Sequence, residues 1–177
     1  MKYEYIDKEE LFLKNGINIV YGDKCTGKTT SVIKALNRNS IEPIVLDYDN
    51  NPRIEGLKYI NVPGSKEVIE DILNLESNHE VIIIDHLDGF ANGDYMSEER
   101  ASIIIDILKG LREKHTVILL AHATMYRSAT RVSYAFRGND KIPNNADTVY
   151  SLNNKATLVI EKRRGTAKAD INNWMRG

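Results

Sequence analysis

Ile17-Asn18-Ile19-Val20-Tyr21-Gly22-Asp23-Lys24-Cys25-Thr26-Gly27-Lys28-Thr29-Thr30 is an apolar run that breaks into a glycine-bounded loop ending in Gly-Lys-Thr. It satisfies G-x-x-x-x-G-K-[ST] in full and lies between a strand-like run and a helix-like segment over 29–37, the context in which that pattern has a mechanism. Gly22 and Gly27 permit backbone angles and close approach that a side chain would block, so loop N–H groups turn inward on phosphate. Lys28 adds a mobile positive charge for the β- and γ-phosphates, and the Thr29 hydroxyl is placed to ligate Mg²⁺. A helix starting near Gly27 directs its positive dipole end at the same anion. Gly22 through Thr30 therefore read as a cradle for a nucleoside triphosphate such as ATP.

Outward from the loop, short apolar runs alternate with helical patterns. Pro43–Asp47, Tyr59–Val62, Val81–Asp85 and Thr116–Ala121 read as strands, and the β-branched Val81–Ile84 run has the composition of a central strand covered on both faces. Val32, Ile33 and Leu36 give the first helix its apolar stripe, Val68, Ile69, Ile72 and Leu73 a second behind a Ser65 N-cap, and Ile103, Ile104, Ile107, Leu108 and Leu111 a third behind Ser97. Gly110 costs that last helix some stability. From Met125 to Asn145 the apolar order lapses, which predicts a long loop. Asp147–Leu152 and Ala156–Ile160 then read as a hairpin around Asn153-Asn154-Lys155. The implied class is α/β: a mostly parallel sheet flanked by helices, with a late β-hairpin. Residues 1–15 are a lead-in that packs on the core, and Trp174 an anchor for a tail over 166–177.

At 177 residues the chain suits one domain with a sizeable core. Its longest apolar runs are too short to span a bilayer, and its first residues lack the apolar core of a signal peptide, so a cytoplasmic protein with no membrane partner is expected. Cys25 is the only cysteine; it rules out an intramolecular disulfide and a multi-thiolate zinc site, and its place in the loop suggests a thiol open to alkylation. The net charge of −1 conceals a split, with 14 basic against 21 acidic residues over 1–123 and 9 against 3 over 124–168. Such asymmetry marks either a solvated surface or a polyanion-binding face.

Ligands of open parallel sheets sit beyond the carboxyl ends of the strands, where Gly22, Asp47, Asp49, Asp85 and His122 all fall. Asp85 is placed to hold Mg²⁺ opposite Thr29. Asp47 and Asp49 are both placed for the attacking water, and His122 either senses the γ-phosphate or is a structural residue. His86 reads as packing or polar surface. Lys162, Arg163 and Arg164 suit either a neighbouring subunit's transition state or nucleic-acid phosphate.

The succession Gly22–Thr29, Leu46-Asp47-Tyr48-Asp49, Val81–Asp85, Leu119–Thr124, Ala146-Asp147-Thr148-Val149 and Lys162-Arg163-Arg164-Gly165 resembles the RecA-fold P-loop ATPases. Within them it is similar to the RecA recombinase core, the motor domain of DnaB-type helicases and short phage RecA-like ATPases linked to single-strand annealing, over about residues 16–165. The resemblance implies ATP hydrolysis with Mg²⁺, a catalytic carboxylate at Asp49 where the family usually has glutamate, a sensor at His122, and an Arg163 that completes a neighbour's site in a homo-oligomer. It also places Tyr126–Lys141 where the family contacts single-stranded DNA: Arg127, Arg131, Arg137 and Lys141 suit phosphate, Tyr134 and Phe136 base stacking. The function implied is a DNA-linked ATPase in recombination or replication, without the recombinases' extra terminal domains. Two other classes stay open: a small P-loop nucleotide or metabolite kinase, with Arg127–Arg137 as its lid, and an ATP-gated assembly module with little turnover.

Overall fold

The computed structural model describes residues 2–24, 26–74, 80–153 and 157–165. The lead-in bends back on itself through a bridge between Tyr5 and Leu13 and buries Leu11 and Phe12. Strand β1 (Ile17–Gly22) then enters the core with every residue buried. Helix α1 (Lys28–Arg38), β2 (Ile44–Asp47), β3 (Ile60–Pro63) and α2 (Lys66–Asn74) follow. Next come β4 (Glu80–Asp85), a short α3 (Leu87–Phe90), α4 (Glu98–Arg112), β5 (His115–Arg127) and β6 (Val132–Phe136). The described part closes with α5 (Lys141–Asn144), β7 (Thr148–Leu152) and β8 (Leu158–Arg163).

The strands order as β3-β2-β4-β5-β1-β7-β8. Every neighbouring pair from β3 through β7 is parallel, and β8 runs antiparallel along β7. Alternate strand residues face opposite sides, so Ile19, Leu46 and Ile84 pack with α2 and α4, while Val20, Val45 and Ile83 pack with α1 and Phe12. The serine caps form as their residue types predict: Ser65 Oγ accepts the Val68 N–H at 3.1 Å, and Ser97 Oγ accepts the Arg100 N–H at 3.2 Å. Gly110 has a packing reason, since a Cβ there would lie 3.0 Å from the Leu73 side chain of α2.

The long loop expected over 125–145 is corrected. β5 runs on to Arg127 and turns into β6, which pairs with it antiparallel through Met125–Tyr134 and Arg127–Val132. The expected turn at 154–156 and the Trp174 anchor lie outside the described residues. Among the described residues no helix is long and apolar enough to cross a membrane.

Asp7 is 5% exposed, and its carboxylate accepts N–H bonds from Leu11 at 2.9 Å and Phe12 at 3.0 Å. Burial outweighs those bonds and pushes its pKa up to about 6. The folded value lies above the unfolded one of about 3.9, so this contribution to stability is complete below pH ~4 and is lost as pH rises through about 6. Urea unfolding across that window is expected to show a loss of up to ~3 kcal/mol from this group in the wild type, absent in Asp7→Asn.

Candidate nucleotide site

Register brings the site together. Gly22 lies opposite His122 of β5 and Leu152 of β7, and Asp47 lies opposite Asp85, so these residues share the carboxyl edge of the sheet. The two loop glycines meet different demands. Gly22 is required by space, because a Cβ there would lie 2.5 Å from the Leu152 carbonyl oxygen. Gly27 is required by conformation, since it caps α1 with φ 78°.

Around the loop a cavity of about 300 Å³ is lined by Lys28, Thr29, Thr30, Asp49, Asp85 and His122 among others. The Lys28 ammonium folds back over the loop and donates to the carbonyls of Gly22 at 3.0 Å and Asp23 at 2.9 Å. Thr26 Oγ1 donates to the Asp23 carbonyl at 2.9 Å, and the Asp23 carboxylate accepts the Lys24 N–H at 2.9 Å, which tightens the loop. Cys25 lies outside the described residues. Thr29 Oγ1 donates to Asp85 Oδ2 at 2.8 Å. Burial raises the Asp85 pKa, and the Thr29 bond counters that.

Asp47 and Asp49 have separate tasks. Asp47 accepts the N–H groups of Asp49 and Asn51, each at 2.9 Å, and so builds the turn after β2. Asp49 keeps a side chain 36% exposed and lies 2.6 Å from His86 Nδ1. Tyr48 between them is gripped by Gly64 and Gly89, where a Cβ would meet its atoms at 2.5 and 2.6 Å.

His86 and Asn51 are the site residues that sequence reasoning missed. His86 is buried at the end of β4, edge-on to His122 with ring centroids 4.0 Å apart. Asn51 Nδ2 reaches Asp47 Oδ1 at 3.3 Å and Asp85 Oδ2 at 3.4 Å. Position beside Asp85 was the one available signal for His86; nothing local marked Asn51. Burial, then His86 and Lys28, push the His122 pKa down to about 4, so its imidazole is neutral near pH 7.

Each member of the basic triplet has a partner within the chain. Arg163, expected as a finger in trans, has a side chain only 5% exposed; its guanidinium donates to the Glu10 carbonyl at 2.8 Å and lies over the Tyr5 ring at 4.3 Å. Lys162 donates to the Asn144 carbonyl at 2.9 Å, and Arg164 bonds Asp147 at 2.6 Å.

The residues expected on a DNA-contacting loop divide in two. Arg127, Arg131 and Tyr134 stand on the β5–β6 hairpin, where Tyr126 is 58% exposed. Phe136, Arg137 and Lys141 are engaged at its root instead: Phe136 packs edge-on against Tyr21, the Arg137 guanidinium lies 5.6 Å from the Tyr95 ring centroid, and Lys141 pairs with Glu98.

The strand order, the late hairpin and the loop after β1 make the fold RecA-like. Among solved structures, the RadB recombinase is similar to this chain with a TM-score of 0.63 at 16% identity, over 89% of this chain and 85% of that one. No protein-family model and no curated protein matches the sequence.

Because the atom that crowds Gly22 is backbone, Gly22→Ala must displace either β7 or the loop. A stability loss of about 1–3 kcal/mol is expected by denaturant unfolding, together with weakened nucleotide binding by calorimetry. Unchanged stability would show that the contact with Leu152 is not tight.

Proposed function

We propose that the chain binds ATP with Mg²⁺ and hydrolyses it, coupling this cycle to single-stranded DNA in recombination or replication as a homo-oligomer. The observation that carries the ATP reading is the convergence of Thr29 and Asp85 at 2.8 Å beside the ammonium of Lys28. A hydroxyl and a carboxylate are hard oxygen donors, the kind Mg²⁺ takes alongside phosphates. Thr29 and Asp85 would hold Mg²⁺, which when bound would supply positive charge to neutralise the phosphates.

The chain's own groups carry the remaining work. Lys28 exchanges its contacts with the Gly22 and Asp23 carbonyls for phosphate oxygens, and the N terminus of α1 faces the same charge. Asp49 orients the attacking water: it lines the cavity with one edge free, whereas Asp47 is spent on the turn. His122, neutral near pH 7, offers a ring nitrogen to the γ-phosphate. An oligomer in which a neighbouring subunit completes the site is part of this reading, with Arg163, now held by Glu10 and Tyr5, having to leave those contacts to act in trans.

The DNA half rests on the hairpin, which carries Arg127 and Arg131 beside the exposed faces of Tyr126 and Tyr134. Such faces stack on bases whatever the sequence. The segment Arg127–Phe136, which could pass for a kinase lid, is instead paired as a two-stranded extension of the sheet, and this favours the DNA reading over the kinase one.

Lys28→Ala is expected to abolish ATP hydrolysis, and Asp49→Asn to slow it by about 10²–10⁴-fold with ATP affinity kept; normal turnover in Lys28→Ala would sink the site assignment. For DNA, single-stranded DNA is expected to raise the ATPase rate and to bind with salt-dependent affinity. Arg127→Ala and Arg131→Ala each flatten the log-affinity against log-salt slope by about one. An unstimulated ATPase and salt-independent binding would remove the nucleic-acid assignment.

A further inference from the structure

Three side chains, two of which line the nucleotide cavity, converge beside the loop after β1, an arrangement that rests on the site read above. His86 is 8% exposed and points Nδ1 at Asp49, 2.6 Å away. That contact assigns a proton to Nδ1 and leaves Nε2 on the side of Asp88 Oδ2 at 3.9 Å, too far for a direct hydrogen bond. Against the other face of His86 stands the ring of His122. One donor atom from each of His86, Asp88 and His122 lies within 4.8 Å of the other two. Asp88 Oδ1 and His122 Nδ1 are both buried without a hydrogen-bond partner among the described residues. Each of these orphaned polar atoms calls for an ion or a water to satisfy it.

We propose that His86, Asp88 and His122 form a binding site for a transition-metal ion of the Zn²⁺ kind, separate from the Mg²⁺ position at Thr29 and Asp85. Two imidazoles and one carboxylate are a donor set that Zn²⁺ accepts with a fourth position open, whereas Mg²⁺ favours oxygen and water. Donors ~2.0–2.1 Å from a tetrahedral ion sit about 3.3 Å apart, so the gap between His86 and Asp88 has to close by about half an ångström. Asp49 supplies the outer carboxylate that fixes the tautomer and orientation of a ligating imidazole. His86, Lys28 and Lys24 disfavour charge on His122, and Asp88 opposes them. The ion fastens α3 to β5 at His122, where β5 leaves the sheet for the hairpin. It takes Nδ1 of His122 and leaves Nε2 for phosphate.

The test uses the full-length, untagged chain without nucleotide or Mg²⁺. Zn²⁺ binding is followed by calorimetry, and Co²⁺ binding by visible absorption, whose ligand-field bands report nitrogen ligation and coordination number. One ion per chain is expected, with affinity reduced at least ~10-fold in Asp88→Ala and in His122→Ala. Far-UV circular dichroism checks the fold of each variant, and His122→Gln replaces His122→Ala if the latter unfolds. Wild-type protein that takes up no ion, or variants that bind as well as wild type, would overturn the proposal. Lys28→Ala is expected to bind Zn²⁺ at least as tightly as wild type while losing ATP. Because the readout contains no nucleotide, either assignment can fail while the other stands.

Discussion

The parallel ladder that seats β1 between β5 and β7 is the constraint on which the site depends. It sets Gly22 opposite His122 on one side and Leu152 on the other, and so fixes where the phosphate loop leaves the sheet. Backbone bonds alone permit other registers, and a one-residue slip would turn every side chain to the opposite face. Buried polar groups hold the chosen one. Asn18 Oδ1 accepts the Leu13 N–H at 2.8 Å and the Thr148 hydroxyl at 2.7 Å, while its amide donates to the Val117 carbonyl at 3.1 Å. One side chain thus ties the lead-in, β5 and β7 to β1. Asp147 does the same at the strand's start: its carboxylate accepts the Ile17 N–H at 2.9 Å and takes Arg112 and Arg164 as partners. A misregistered strand would leave these groups buried and unpaired, at about 1–3 kcal/mol each.

Features that depend on local chemistry were legible in the sequence. The phosphate loop, the β-branched run into Asp85 and the serine caps at Ser65 and Ser97 are decided by residues a few positions apart, and the structure has each where the pattern implies. Features that depend on distant partners were not. Val132, Tyr134 and Phe136 alternate with the small Ser133 and Ala135 at the period of a strand, yet the flanking Arg131 and Arg137 made the stretch read as a loop, because the partner that makes it a strand is the continuation of β5. Arg163 shows the same blindness. A run of three cations reads as one displayed patch, but a strand sends neighbours to opposite faces. Lys162 and Arg164 therefore meet Asn144 and Asp147, while Arg163 turns to Glu10 and Tyr5 of the lead-in.

The acidic edge is a problem in electrostatics that geometry resolves by division of labour. Asp47, Asp49 and Asp85 stand close enough for Asp47 and Asp49 to oppose ionisation of Asp85, on top of its burial. Besides the Asn51 amide shared by Asp47 and Asp85, each has a donor of its own. Backbone N–H groups of the turn meet Asp47, the His86 imidazole meets Asp49, and the Thr29 hydroxyl meets Asp85. At Asp85 the Thr29 bond favours the charged form and works against burial and the neighbouring acids. The turn that holds Asp47 and Asp49 is in turn locked by Tyr48, whose ring fits only because positions 64 and 89 are glycine.

His122 marks a boundary along β5. The strand is buried up to Ala121 and pairs with both β4 and β1 over Val117–Leu120; beyond His122 its partner is β6. The sheet half is held by two ladders, so it has little freedom to shift. The hairpin half is held at its root by the Arg137 N–H on the His122 carbonyl at 3.0 Å and by the packing of Phe136 on Tyr21. The residue whose imidazole faces the phosphate loop is therefore the residue whose carbonyl anchors the returning strand of the hairpin. Tyr21, which receives Phe136, immediately precedes Gly22. Hairpin and phosphate loop share two adjoining supports, and a change in either support is felt at both.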